Sequence, residues 1–152
     1  MLQRQAPGRL MCCARKSQMT ELRTLSDFEG AWALHRRISP RQGVGAIFEG
    51  TAVWSRIKDG LAYVETGLIQ LEGQMPMQAE RRYFWSEDLC VYFEDGRFFH
   101  TVPSQGGQSD HWCDPDMYIG TYDFTRWPDF EVTWQVTGPK KDYLLQTLYT
   151  RS

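Results

Sequence analysis

His100, His111, Cys113 and Asp116 all fall within one short stretch, FFHTVPSQGGQSDHWCDPDMYIG, residues 98 to 120. Three chemistries are open to that set. Two imidazoles, a thiolate and a carboxylate are zinc-type donors, and His111 and Cys113, two residues apart, share one face of a strand. The spacing His-x10-His-x-Cys matches no established ligand pattern, so no metal is assigned. Cys113 could act as a nucleophile if His111 lowered its pKa. His100, if it stands in an apolar stripe, is held neutral by desolvation and could exchange a proton with Asp116, Tyr118 or a substrate. No Gly-x-Ser-x-Gly turn, phosphate loop or paired-carboxylate pattern selects a reaction, so no catalytic residue is assigned. The plain alternative is two strands and a loop, with a core histidine satisfied by one hydrogen bond, Asp114-Pro115-Asp116 as a turn, and Tyr118, Gly120 and Tyr122 as wall.

The elements that must position these residues read as strands. From Asp27 onward apolar residues recur with a period near two, broken by turn residues about every ten positions. The expected strands are 30–38, 43–57, 61–73, 75–86, 89–94, 97–102, a short one at 111–113, 116–125, 130–137 and 143–152. A single turn of helix is possible near Thr24–Phe28. Serial antiparallel strands of this number close most economically into an up-and-down barrel, because closure removes unpaired edges. The expected class is therefore all-β, one antiparallel barrel of about 8–10 strands, with a two-sheet sandwich as the alternative.

Hairpin arithmetic makes part of the interior readable. A two-residue Asp95-Gly96 turn pairs Glu94 with Arg97, Phe93 with Phe98, Tyr92 with Phe99 and Val91 with His100. One face then carries Leu89, Val91, Phe93, Phe98, His100 and Val102. Taking Gly138-Pro139-Lys140-Lys141 as a loop pairs Val136 with Tyr143, Trp134 with Leu145, Val132 with Thr147 and Phe130 with Tyr149. Tyr143, Leu145, Thr147, Tyr149 and, by parity, Arg151 then point inward. Parity across the Ser-Gln-Gly-Gly-Gln-Ser link is open, so the facing of His111 and Cys113 is open too.

Composition narrows the function classes. A chain of 152 residues can bury roughly 70% of the surface its unfolded form exposes and needs neither disulfide nor metal to fold. Aromatic residues make up 14%, with six Trp, against an ordinary hydrophobic share of 41%. Net charge is −2, to which the first 19 residues contribute +4, so the remainder carries −6. So acidic a body is a poor partner for nucleic acid or an anionic membrane. Cys12, Cys13, Cys90 and Cys113 include no C-x-x-C pair, and no signal-peptide core or membrane span is present, which points to the cytoplasm and reduced thiols. The Arg-rich opening reads as a disordered leader or an early start codon, leaving residues 1–26 outside the barrel and 27–152 within it. Nothing assigns a cofactor or an oligomeric state.

Gly30-Ala31-Trp32 in DFEGAWAL resembles the G-x-W that opens the first strand of lipocalins and related calycin barrels. The resemblance implies that Trp32 packs over the closed end of the barrel against an arginine of the last strand, here Arg151, in a cation–π contact. The C-terminal half, HWCDPDMYIGTYDF and VTWQVTGPKKDY, also resembles a family of small bacterial and fungal proteins of unknown function with a calycin-like barrel. The matching positions are His100, His111, Cys113, Asp116, Tyr118, Gly120, Tyr122, Trp134, Gly138, Pro139 and Lys140. No activity comes with that resemblance.

A barrel of this size either fills with side chains or holds one ligand. The expected inward set mixes aromatics with polar heads and one of Arg81 or Arg82, which suits a small hydrophobic or aromatic-acid molecule. The leading expectation is a binding barrel with His100, Tyr118 and Tyr122 as polar contacts, Tyr143 in the wall, and His111, Cys113 and Asp116 at the rim. Two alternatives are an enzyme with His100 as general acid or base, and a filled barrel acting as a protein-interaction module with exposed aromatics at residues 124–130.

Overall fold

A computed structural model describes residues 21–152; the basic leader expected at the N-terminus lies largely outside the described residues. Packing starts ahead of Asp27. The Arg23 backbone N–H donates to the Ser104 carbonyl at 2.7 Å, and Leu25 is buried. One helical turn, α1 (Leu25–Phe28), is opened by the Thr24 N–H donating to the Asp27 carboxylate at 2.8 Å.

Ten strands follow: β1 (Gly30–Pro40), β2 (Ala46–Ile57), β3 (Gly60–Leu71), β4 (Met77–Ser86), β5 (Cys90–Phe93), β6 (Phe98–Thr101), β7 (Gly107–Cys113), β8 (Asp116–Asp123), β9 (Phe130–Thr137) and β10 (Asp142–Arg151). They form one antiparallel sheet in the order β6-β5-β4-β3-β2-β1-β10-β9-β8-β7. The sheet curls into a nearly closed barrel, the all-β calycin-like architecture. The alternation that produces it is plain in β1, where Trp32, Leu34 and Arg36 are buried while Ala31, Ala33, His35 and Arg37 are exposed.

Closure is completed between β1 and β10, whose register runs from Trp32 opposite Arg151 to Pro40 opposite Tyr143. It stops short between β6 and β7, the two ends of the sheet. Side chains span that seam instead: the His111 ring stands 5.2 Å from Phe99 and 6.1 Å from Phe93. His100 reaches from β6 to β8, its Nε2 lying 2.7 Å from the Tyr122 hydroxyl. Short edges bridged by side chains offer little to an incoming strand.

The β9–β10 register pairs Val136 with Tyr143, Trp134 with Leu145, Val132 with Thr147 and Phe130 with Tyr149. The β5–β6 hairpin differs from the two-residue turn. Phe93 N–H donates to the Arg97 carbonyl at 2.8 Å, so the loop is Glu94-Asp95-Gly96, with Gly96 at φ 91°. Tyr92 then faces Phe98, and a bulge after Val91 restores the Val91–His100 pair. The result corrects the inward face: Phe98 is half exposed on the outside, and Phe99 takes its place within.

One end of the barrel is sealed. Phe28, Trp32, Trp54 and Phe130 are almost wholly buried there, with edge-to-face contacts among them. Trp32 donates its indole N–H to the Phe28 carbonyl at 2.8 Å. The Arg151 guanidinium lies 4.0 Å over the Trp32 ring and donates to the carbonyls of Glu29 (2.9 Å) and Asp27 (2.8 Å). Gly30 has φ 119°, and a Cβ there would stand 2.9 Å from Arg151 Nη1, so this cap requires glycine. Phe124, Trp127 and Phe130 pack into the same seal. The exposed aromatic patch expected of an interaction module at residues 124–130 is therefore absent. Among the described residues no helix is long and apolar enough to cross a membrane.

Candidate functional site

Toward the opposite end the barrel is hollow. A cavity of about 290 Å³ has walls that include Val91, Phe99, Val132, Trp134, Val136 and Leu145. Gly120 shapes this wall: a Cβ there would meet the Trp134 ring at 2.6 Å, so the absence of a side chain on β8 leaves room for the indole on β9.

The polar part of the lining is a connected network. Arg36 on β1 donates from Nη1 and Nη2 to the two carboxylate oxygens of Glu65 on β3, at 2.6 and 2.9 Å, and from Nε to Thr147 Oγ1 on β10 at 2.8 Å. β1 and β3 are not neighbours. Their long side chains meet over β2, where Gly50 and Ala52 add almost no bulk between them. Tyr63 donates to Glu65 Oε2 at 2.5 Å, and its oxygen is 3.0 Å from the Tyr149 hydroxyl. Arg81, half exposed, approaches Glu65 Oε1 at 3.8 Å. Burial works against charge on Glu65, but the Arg36 hydrogen bonds and charge outweigh it and hold the carboxyl below its ordinary range. Arg36 is likewise raised despite its burial. Burial also lifts Tyr149 to about 12 and Tyr63 well above the phenol range, so both stay protonated.

His100, His111, Cys113, Tyr118, Tyr122 and Tyr143 all border this cavity. The link therefore brings His111 and Cys113 to the interior side of β7. Asp116 is the exception. It is bound to Lys141 Nζ at 3.0 Å beneath the Gly138 turn, where a Cβ would strike its carboxylate, and it takes no part in the lining. Lys141 also donates to the Tyr118 hydroxyl at 3.3 Å, so Asp116 steadies the rim through that lysine rather than facing a guest. Of the two candidate arginines, Arg81 faces in and Arg82 pairs outside with Glu80. Among the described residues no three His, Cys, Asp or Glu side chains converge as metal ligands.

A family model matches residues 28–151, nearly the whole barrel. The chain belongs to the family of unknown function DUF6314. None of the curated proteins compared matches it. Among solved structures, the DUF6314 chain is similar to the S-type phycobiliprotein lyase CPES from Guillardia theta. That similarity has a TM-score of 0.56 at 8% identity, over 84% of this chain and 90% of the other, and it shows a shared barrel fold.

Arg36, Tyr63 and Glu65 in the DUF6314 chain were not among the residues expected at the site. A signal for them existed. Parity from Trp32 through Leu34 leads to Arg36, and Tyr63 and Glu65 share a face two residues apart. Charged residues on strands are ordinarily solvated, which hid the pair.

Burial, then the neighbouring His111, pushes His100 down to about 3, so its imidazole is neutral at pH 7. Its Nδ1 is buried and has no partner among the described residues. A base depressed in the folded state binds its proton preferentially when unfolded. Stability is thus full above pH 6.5 and lost as pH falls from 6.5 toward 3, with a slope of up to about 1.4 kcal/mol per pH unit. His111, depressed by partial burial and then by Arg97, adds in the same sense. Urea unfolding between pH 7 and 4.5 should show His100→Gln losing less stability than the parent; parallel curves would mean that His100 carries no such penalty.

Proposed function

We propose that this DUF6314 barrel binds a small aromatic or otherwise hydrophobic acid in its interior without transforming it. The observation that carries the reading is the charge of the lining. It holds two guanidinium groups, Arg36 and Arg81, and a single carboxylate, Glu65. Arg36 is spent on Glu65 through two hydrogen bonds, which leaves Arg81 at the open side as the surplus cation. A net positive charge over aromatic walls favours a flat molecule with one carboxylate, which a guanidinium holds well. Thr147, whose oxygen accepts from Arg36, keeps its hydrogen as a further donor. The volume, near the low end of the roughly 300–1,000 Å³ usual for small-molecule sites, suits a one- or two-ring guest.

Catalysis through His100 is the weaker reading. A base at about 3 has little driving force at neutral pH, and one nitrogen is already engaged by Tyr122.

Cinnamate and its neutral isostere cinnamamide test the proposal. Cinnamate should raise the melting temperature, adding about 2.7 kcal/mol at 100 times its dissociation constant. Calorimetric titration should find it about tenfold tighter than the amide, a difference of roughly 1.4 kcal/mol. Arg81→Gln should erase that ratio. Equal affinity for acid and amide in the parent protein would remove the carboxylate from the reading, and no binding of either would remove the site.

A further inference from the structure

The hydrogen-bond directions in the network are forced, and they say what the deep end of the cavity requires. Glu65, bidentate on Arg36, is a carboxylate and can only accept. Tyr63 must therefore give its one hydrogen to Glu65 Oε2. Having none left, Tyr63 can only accept from Tyr149, 3.0 Å away. Tyr149 spends its hydrogen there, and no donor among the described residues returns a hydrogen bond to its oxygen. Tyr149 lines the cavity, with its ring fixed by stacking on Phe130 at 4.6 Å. A hydroxyl that usually both gives and takes is locked by Glu65, two bonds away, into presenting lone pairs only.

We infer that the Tyr149 oxygen is a specificity determinant for a hydrogen-bond donor on the guest, so that the preferred ligand is an aromatic acid carrying a ring hydroxyl or N–H remote from its carboxylate. This rests on the binding reading above and narrows its ligand class. Polarity is decisive, because an acceptor placed against Tyr149 would meet lone pairs whereas a donor completes the chain Tyr149–Tyr63–Glu65–Arg36. The charge on Glu65 reaches the guest through two buried phenols, and in a low-dielectric interior such chains strengthen cooperatively.

The test compares 4-hydroxycinnamate with 4-fluorocinnamate, which are close in size and differ in the donor, by calorimetric titration of the full chain, with unsubstituted cinnamate as reference. In the parent protein the hydroxy acid should bind about tenfold more tightly than the fluoro acid, as expected for satisfying one buried acceptor. Tyr149→Phe should bring the ratio to about one while plain cinnamate still binds. Tyr63→Phe keeps the Tyr149 hydroxyl but frees its hydrogen, so that Tyr149 no longer presents lone pairs only; the ratio should narrow without vanishing, which no account based on space alone expects. Equal binding of both probes to the parent, or a ratio unchanged in both variants, overturns the inference while leaving the binding barrel intact. Failure of every cinnamate to bind overturns the binding reading and the inference with it. Should Tyr149→Phe fold poorly, the Tyr63→Phe ratio decides alone.

Discussion

Replacing Glu65 with alanine should destabilise the protein by about 3–5 kcal/mol, the cost of leaving a buried charge without its partner. Arg36 is buried, and it would lose both of its carboxylate bonds; Tyr63 would lose the acceptor for its hydrogen. Arg81 aggravates the loss, because without Glu65 two guanidinium groups face the same cavity unopposed. Against a total of about 5–15 kcal/mol for a single domain, this is a large fraction. Removing both charges is a different matter. Arg36→Met combined with Glu65→Leu deletes the ion pair and its desolvation together, and should recover most of the deficit. Urea midpoints of the two variants measure the contrast. A Glu65→Ala loss below about 1 kcal/mol would show that water or rearranged partners already shield Arg36.

Trp32→Ala should cost a comparable amount, about 3–5 kcal/mol, by opening a void where the seal has no slack. Trp32 is fully buried, with ring contacts to Trp54, Trp127 and Phe130. Its loss also releases the Phe28 carbonyl and the platform for Arg151. Arg151→Ala should cost less, since the guanidinium is exposed and water can reach the Glu29 and Asp27 carbonyls it leaves behind. Thermal unfolding of both variants tests the order. Equal losses would mean that the arginine holds the closed end as much as the indole does.

The opened cap and the broken ion pair differ in how readable they were. Arg151 is readable by parity along the last strand, whereas Gly30 and Trp32 are readable through the resemblance of Gly-Ala-Trp to the G-x-W of calycin barrels. The final hairpin was also legible, pair by pair, because a four-residue loop between two alternating runs fixes register locally. The β5–β6 hairpin was not. Gly96 at φ 91° makes a three-residue loop that shifts the register by one, and the bulge after Val91 shifts it back. The pairing of Val91 with His100 survives both changes, while Phe98 and Phe99 exchange faces.

What the sequence alone determined is the set of properties carried by neighbours along the chain: the strands, most turns, an all-β barrel, and a histidine in an apolar stripe. These follow from a period of two and from turn chemistry, which need no knowledge of distant residues. Only the tertiary structure decided that Arg36 meets Glu65 across Gly50 and Ala52, that Asp116 turns away to Lys141, that His111 and Cys113 face inward, and that β6 and β7 stay unpaired. Each of these depends on how far the sheet coils before its ends meet, and thus on which side chains from non-adjacent strands share one small interior.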